Sequence, residues 1–147
     1  MWFSGLVRSF QNALRGVRRG LRAERNLRVH LTAVVYVTWA GLLAKLDGPS
    51  WGAVLLCFGG VFSAELFNTA LEHLCDAVCP EQHEKIGAAK DAAAGAVLAR
   101  ALVSVGVAAA VFGPWLLAGG PMERPWALAC VALSIPFAIL WIRGREN

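Results

Sequence analysis

From position 29 onward the chain is dominated by four apolar runs, 29–46, 51–78, 88–117 and 126–142, parted by stretches at 45–50, 79–87 and 118–125 that carry Gly, Pro and charge. About 20 helical residues cross a hydrocarbon core, so each run predicts a transmembrane helix, the fourth being short and containing Pro136. The second and third runs exceed the needed length. Their polar ends, residues 72–76 and the pair Lys90 and Asp91, are expected to emerge on one aqueous side. Before position 29 the pattern changes: Phe3, Leu6, Val7, Phe10, Leu14, Val17 and Leu21 recur at helical spacing with arginines on the neighbouring face. That segment predicts an amphipathic helix lying in the membrane interface. The expected fold class is an all-α integral membrane protein forming one membrane domain, 1–147. Within it, 1–28 is the interfacial helix, 29–117 a three-span core and 118–147 an extra C-terminal hydrophobic segment.

Composition agrees with the pattern. With 57% hydrophobic residues, 16% charged residues and a mean hydropathy of +0.54, the chain is too apolar for an ordinary soluble domain. The opening residues lack a basic stretch followed by a short apolar region and a small-residue cleavage site, so no removable secretion signal is expected. The net charge of +4 is uneven, because seven of the fourteen basic residues (Arg8, Arg15, Arg18, Arg19, Arg22, Arg25 and Arg28) precede the first run. Nucleic-acid binding is one reading of such a run. Its position beside an apolar stripe favours anionic lipid headgroups instead, and no nucleic-acid partner is expected. With the N-terminus cytoplasmic and four crossings, those arginines plus Lys85, Lys90, Arg143 and Arg145 fall inside, leaving Lys45 and Arg124 outside.

The unusual polar content lies within the second run, where Glu65, Asn68, Glu72 and Asp76 fall within roughly an 80° arc of one helix face. Ionised groups at membrane depth must be paired, hydrated, protonated or bound to a cation, which marks this stripe as a working site. Glu65 and Glu72, with Asn68 between them, supply hard oxygens of the kind Mg²⁺ prefers, and a carboxylate beside a bound hydroxyl also accepts its proton. Glu24, between the interfacial helix and the first run, reaches the same headgroup level if the N-terminus folds back. Lys90 and Asp91 converge there from the third run, offering a cation for phosphate. Interhelical hydrogen bonding without chemistry remains the plainer reading of the same residues. So do an ion or proton pathway lined by the acids and a noncatalytic assembly module.

Small residues such as Ala92, Ala93, Gly95 and Ala96 in the third run, and Gly59, Gly60 and Ser63 in the second, predict close helix packing. Arg100 lies about 13.5 Å along the helix from Asp91 and is expected to pair with a carboxylate or snorkel. The cysteines, two in apolar runs and two near a cytoplasmic end, suggest no disulfide framework. Trp39, Trp51, Trp115, Trp126 and Trp141 near segment ends read as interfacial anchors.

The segment Glu65-Leu66-Phe67-Asn68-Thr69-Ala70-Leu71-Glu72, followed by Asp76, Glu81, His83 and Lys90-Asp91, resembles the signature of the small prokaryotic diacylglycerol kinase family, which includes undecaprenol kinases. Arg15-Gly16 and Glu24-Arg25-Asn26-Leu27-Arg28-Val29-His30 resemble the stretch before that family's first span, and the likeness covers roughly residues 8–117. The resemblance implies an ATP-dependent lipid kinase of the bacterial cytoplasmic membrane, a homotrimer with its active sites on the cytoplasmic side. It further implies Glu65 as the catalytic base and Glu24 and Glu72 as Mg²⁺ ligands. Asn68, Lys90 and Asp91 correspond to active-site and nucleotide contacts, and Asp76, Glu81 and His83 to positions near the nucleotide. The subfamily likeness favours undecaprenol as acceptor, with diacylglycerol as the alternative. No phosphate-binding glycine loop or protein-kinase signature is present in the sequence. The fourth run lies beyond the three-span core that the resemblance implies.

Overall fold

The computed structural model describes residues 2–81, 83–120 and 122–144; Arg145, counted above in the charge bias, lies outside the described residues. Five helices follow one another: α1 (Trp2–Ala23), α2 (Arg25–Ala44), α3 (Gly48–Val78), α4 (Glu84–Leu117) and α5 (Pro125–Arg143). The last four are long and apolar enough to cross a membrane. Among the described residues there is no strand.

Local chemistry sets the helix ends. At the close of α2, Lys45 adopts a left-handed conformation (φ 54°), and the amides of Lys45 and Leu46 donate to Leu42 and Gly41 carbonyls at 3.3 and 3.1 Å. Asp47 then caps α3, accepting from the Ser50 amide at 3.0 Å, with Pro49 in the first turn where no amide is needed. The side chain and then the amide of Ser50 hold the Asp47 carboxyl below its ordinary range. Gly41 lets the Trp51 ring lie against the α2 backbone, since a Cβ there would stand 2.7 Å from Trp51.

α3 and α4 form the most extensive helix pair, α2 lies against α3, and α5 lies against α2. The protein core is thin: Leu27, Val54, Val61, Cys75, Phe112 and Ala127 are buried, whereas Leu56, Phe67, Leu102, Leu117 and Leu133 are exposed. Outward-facing large apolar side chains on helices of this length are what lipid, rather than water, solvates. The apolar stripe of α1 is likewise uncovered at Leu6, Val7, Phe10 and Leu14.

Two helix starts differ most from the sequence reading. α1 ends at Ala23 and α2 begins at Arg25, so Arg25 and Arg28 belong to the first apolar helix rather than the interfacial one. α4 begins at Glu84 rather than 88, with an acid in its first turn complementing the helix dipole. In both places the hydropathy pattern marks where charge stops, while the backbone stays helical beyond that point.

Candidate active site

The α1–α2 elbow is a single residue. Glu24 is extended (φ −96°, ψ 121°), its amide donates to Gly20 O at 2.7 Å, and its side chain makes no capping bond. Gly20 makes the elbow tight, because a Cβ there would stand 2.8 Å from Leu27 Cδ1 on α2 and 3.1 Å from Leu66 Cδ2 on α3. The end of α1 is thereby folded back against α2 and α3, beside the polar stripe.

On α3 that stripe turns inward at Glu65, whose residue is only 3% exposed. A carboxylate so buried requires a partner, and it has one in His30 of α2, with Nε2 3.1 Å from Oε1. With Glu65 ionised the imidazole N–H is the donor, leaving Oε2 for another group. His30 is the site residue that the sequence reading missed. It lies 35 positions from Glu65, and the available signal was a lone histidine in the first apolar run opposite an acid that had to be paired.

One turn further, Asn68 Nδ2 donates to Glu72 Oε1 at 2.8 Å, while Asn68 Oδ1 is buried with no hydrogen-bond partner among the described residues. Because α2 and α3 run antiparallel and meet at His30–Glu65, Glu24 and Glu72 reach similar levels, about 9 and 10.5 Å along their helices from that contact. Among the described residues no three His, Cys, Asp or Glu side chains form a ready-made metal cluster. An unpartnered amide oxygen beside a carboxylate nevertheless fits Mg²⁺, which takes one or two carboxylates and completes its octahedron with water and substrate phosphates.

Beyond the stripe, an open polar cavity of about 600 Å³ is lined by Asp76, Glu81, His83, Lys90 and Asp91, among others, at the α3–α4 turn. Lys90 Nζ donates to Asp76 Oδ1 at 2.9 Å. The nine predicted positions thus fall into two groups, the α3 stripe of buried Glu65 and half-buried Asn68 and Glu72 with Glu24 near it, and this outer cavity. On the opposite side of His30, an apolar cavity of about 280 Å³ extends among α2, α3 and α4 past Val37, Val54, Val61 and Phe112. Arg100 is exposed and pairs with no carboxylate among the described residues; its guanidinium lies across Gly60 of α3.

The family profile of prokaryotic diacylglycerol kinase matches residues 11–112. Undecaprenol kinase of Bacillus subtilis is 41% identical over 109 residues, covering 74% of this chain and 89% of that protein. Diacylglycerol kinase of Synechocystis sp. is 38% identical over 113 residues, covering 76% of this chain and 65% of that protein. No solved structure matches the chain.

Proposed function

The chain belongs to the prokaryotic diacylglycerol kinase family and is a lipid kinase, and we propose that it transfers the γ-phosphate of ATP to undecaprenol at the cytoplasmic face of the bacterial inner membrane. The observation that carries this reading is the pairing of buried Glu65 with half-buried His30, with an apolar cavity beginning at His30 within the helices and a polar cavity further along at the α3–α4 turn. A lipid alcohol needs the first environment and a nucleotide the second. The 41% identity to an undecaprenol kinase supports the acceptor.

Phosphoryl transfer asks for alignment and charge neutralisation more than for covalent chemistry. Glu65 accepts the lipid hydroxyl proton on the oxygen that His30 leaves free. The lipid oxygen then bonds to the γ-phosphorus as the bond to the bridging oxygen of ADP breaks. Glu24, Glu72 and Asn68 would hold Mg²⁺, which when bound neutralises phosphate charge. Lys90, with Asp91 beside it, contacts the nucleotide once phosphate displaces Asp76 from its ammonium. Asp76, Glu81 and His83 border the space the nucleotide fills. Three copies assemble, and the active site is composed where they meet.

The test is a phosphotransfer assay with Mg-ATP and purified protein in liposomes carrying undecaprenol or diacylglycerol separately. Undecaprenol is expected to react at least about tenfold faster, a difference of roughly 1.4 kcal/mol in transition-state binding. Equal rates contradict the choice of acceptor, and no product from either lipid contradicts phosphate transfer to these alcohols.

A further inference from the structure

α5 lies wholly beyond residues 11–112, the part of the chain that matches the family. It is nevertheless fastened to α2 along its whole length. Near its start, Arg124 Nη1 donates to Leu43 O at 2.6 Å, and Trp126 meets Trp39 edge to face at 6.3 Å between centroids. Midway, Ser134 Oγ and Tyr36 Oη are 2.8 Å apart. At its end, Arg28 Nε donates to Ile142 O at 3.1 Å.

The last contact does more than dock a helix. Arg28 is 9% exposed, and a second of its nitrogens, Nη1, donates to Leu21 O at 3.2 Å and to Arg22 O at 3.0 Å. These carbonyls belong to the final turn of α1, where the extended Glu24 leaves them without helical amides. Ile142 O belongs to the final turn of α5. One guanidinium therefore closes two helix C-termini at once, a match of a fixed planar fork and positive charge to two negative dipole ends. Glu24 lies between the carbonyls gripped on α1 and the arginine that grips them.

We propose that α5 braces the α1–α2 elbow and that Arg28 is the positioning residue through which the brace fixes Glu24 above the α3 stripe. The brace follows from the contacts alone; its effect on metal binding rests on the reading of Glu24 as a ligand. Two measurements on the full-length protein in nanodiscs separate these parts: amide hydrogen exchange at residues 21–25, and Mn²⁺ binding without nucleotide, read from the free-ion electron paramagnetic resonance signal.

R28M is expected to speed exchange at the elbow about tenfold and weaken Mn²⁺ binding about tenfold. The double substitution R124Q/S134A unfastens α5 far from the elbow and is expected to move both readouts in the same direction. Combined with R28M it should add less than its separate effect, because both act through one contact. Should R28M fail to fold, R28K keeps the charge, loses the fork and is expected to give a smaller shift of the same sign. Unchanged elbow exchange in R124Q/S134A overturns the brace. Faster exchange with unchanged Mn²⁺ affinity overturns the assignment of Glu24 as a ligand.

Discussion

At the scale of single residues, the account turns on what surrounds Glu65. Its 3% exposure makes His30 a requirement rather than a decoration, since a buried carboxylate left unpaired would change its charge state or its place. Replacing His30 with Ala is expected to lower turnover about 10–100-fold through misplacement of the carboxylate. His30→Gln keeps an N–H donor and should recover much of the loss; no recovery would remove the orienting role. Spacing alone placed Glu65, Asn68 and Glu72 on one face, because that relation is local to a helix. Pairing with His30 is tertiary, joining two helices through a turn whose geometry the periodicity does not specify, so the sequence offered a lone histidine and an acid in need of a partner but not their contact. The unpartnered Asn68 Oδ1 was equally invisible, since burial of one atom depends on the neighbouring helix.

Among the helices, the elbow and the caps can be tested directly. A methyl group at Gly20 would press on Leu27 Cδ1 and Leu66 Cδ2 at once, and Leu27 is fully buried, so overpacking of about 1–3 kcal/mol outweighs the gain in helix propensity of up to about 1 kcal/mol. Gly20→Ala should therefore lower the denaturation midpoint in mixed micelles. Gly16→Ala, with open space around it, should leave the midpoint unchanged or raise it; equal effects at both sites would contradict the tight elbow. At the start of α3, the carboxyl of Asp47 is held below its ordinary value of 3.8 by Ser50. A depressed carboxylate contributes stability that is complete above its unfolded value and is lost as the pH falls through its folded one. Asp47→Asn caps without titrating, so its melting temperature should fall less than that of the wild type on going from neutral pH to below 3.8. The four apolar helices and the interfacial one were legible as runs and stripes. Their first turns were not, because α2 already holds Arg25 and Arg28, which the pattern assigns to the interfacial helix, and α4 already holds Glu84, which the pattern assigns to a loop.

For the whole molecule, the sequence conveyed the class and the family, while the way α5 is secured to α2 required the structure. Assembly is testable through the split between the α3 stripe and the outer cavity. If Glu65 of one copy works with Lys90 of another in a trimer, mixing inactive Glu65→Gln and Lys90→Ala chains in equal amounts should restore about a quarter of wild-type activity. No restoration means that each copy carries a complete site. The central claim, a lipid kinase using Glu65 as its base, is tested most directly by transfer of labelled γ-phosphate from ATP into chloroform-soluble lipid by the wild type and Glu65→Gln. The account predicts product from the wild type and a rate about 10²–10⁴-fold lower from the variant, with its oligomer intact. Transfer at the wild-type rate by Glu65→Gln would contradict it.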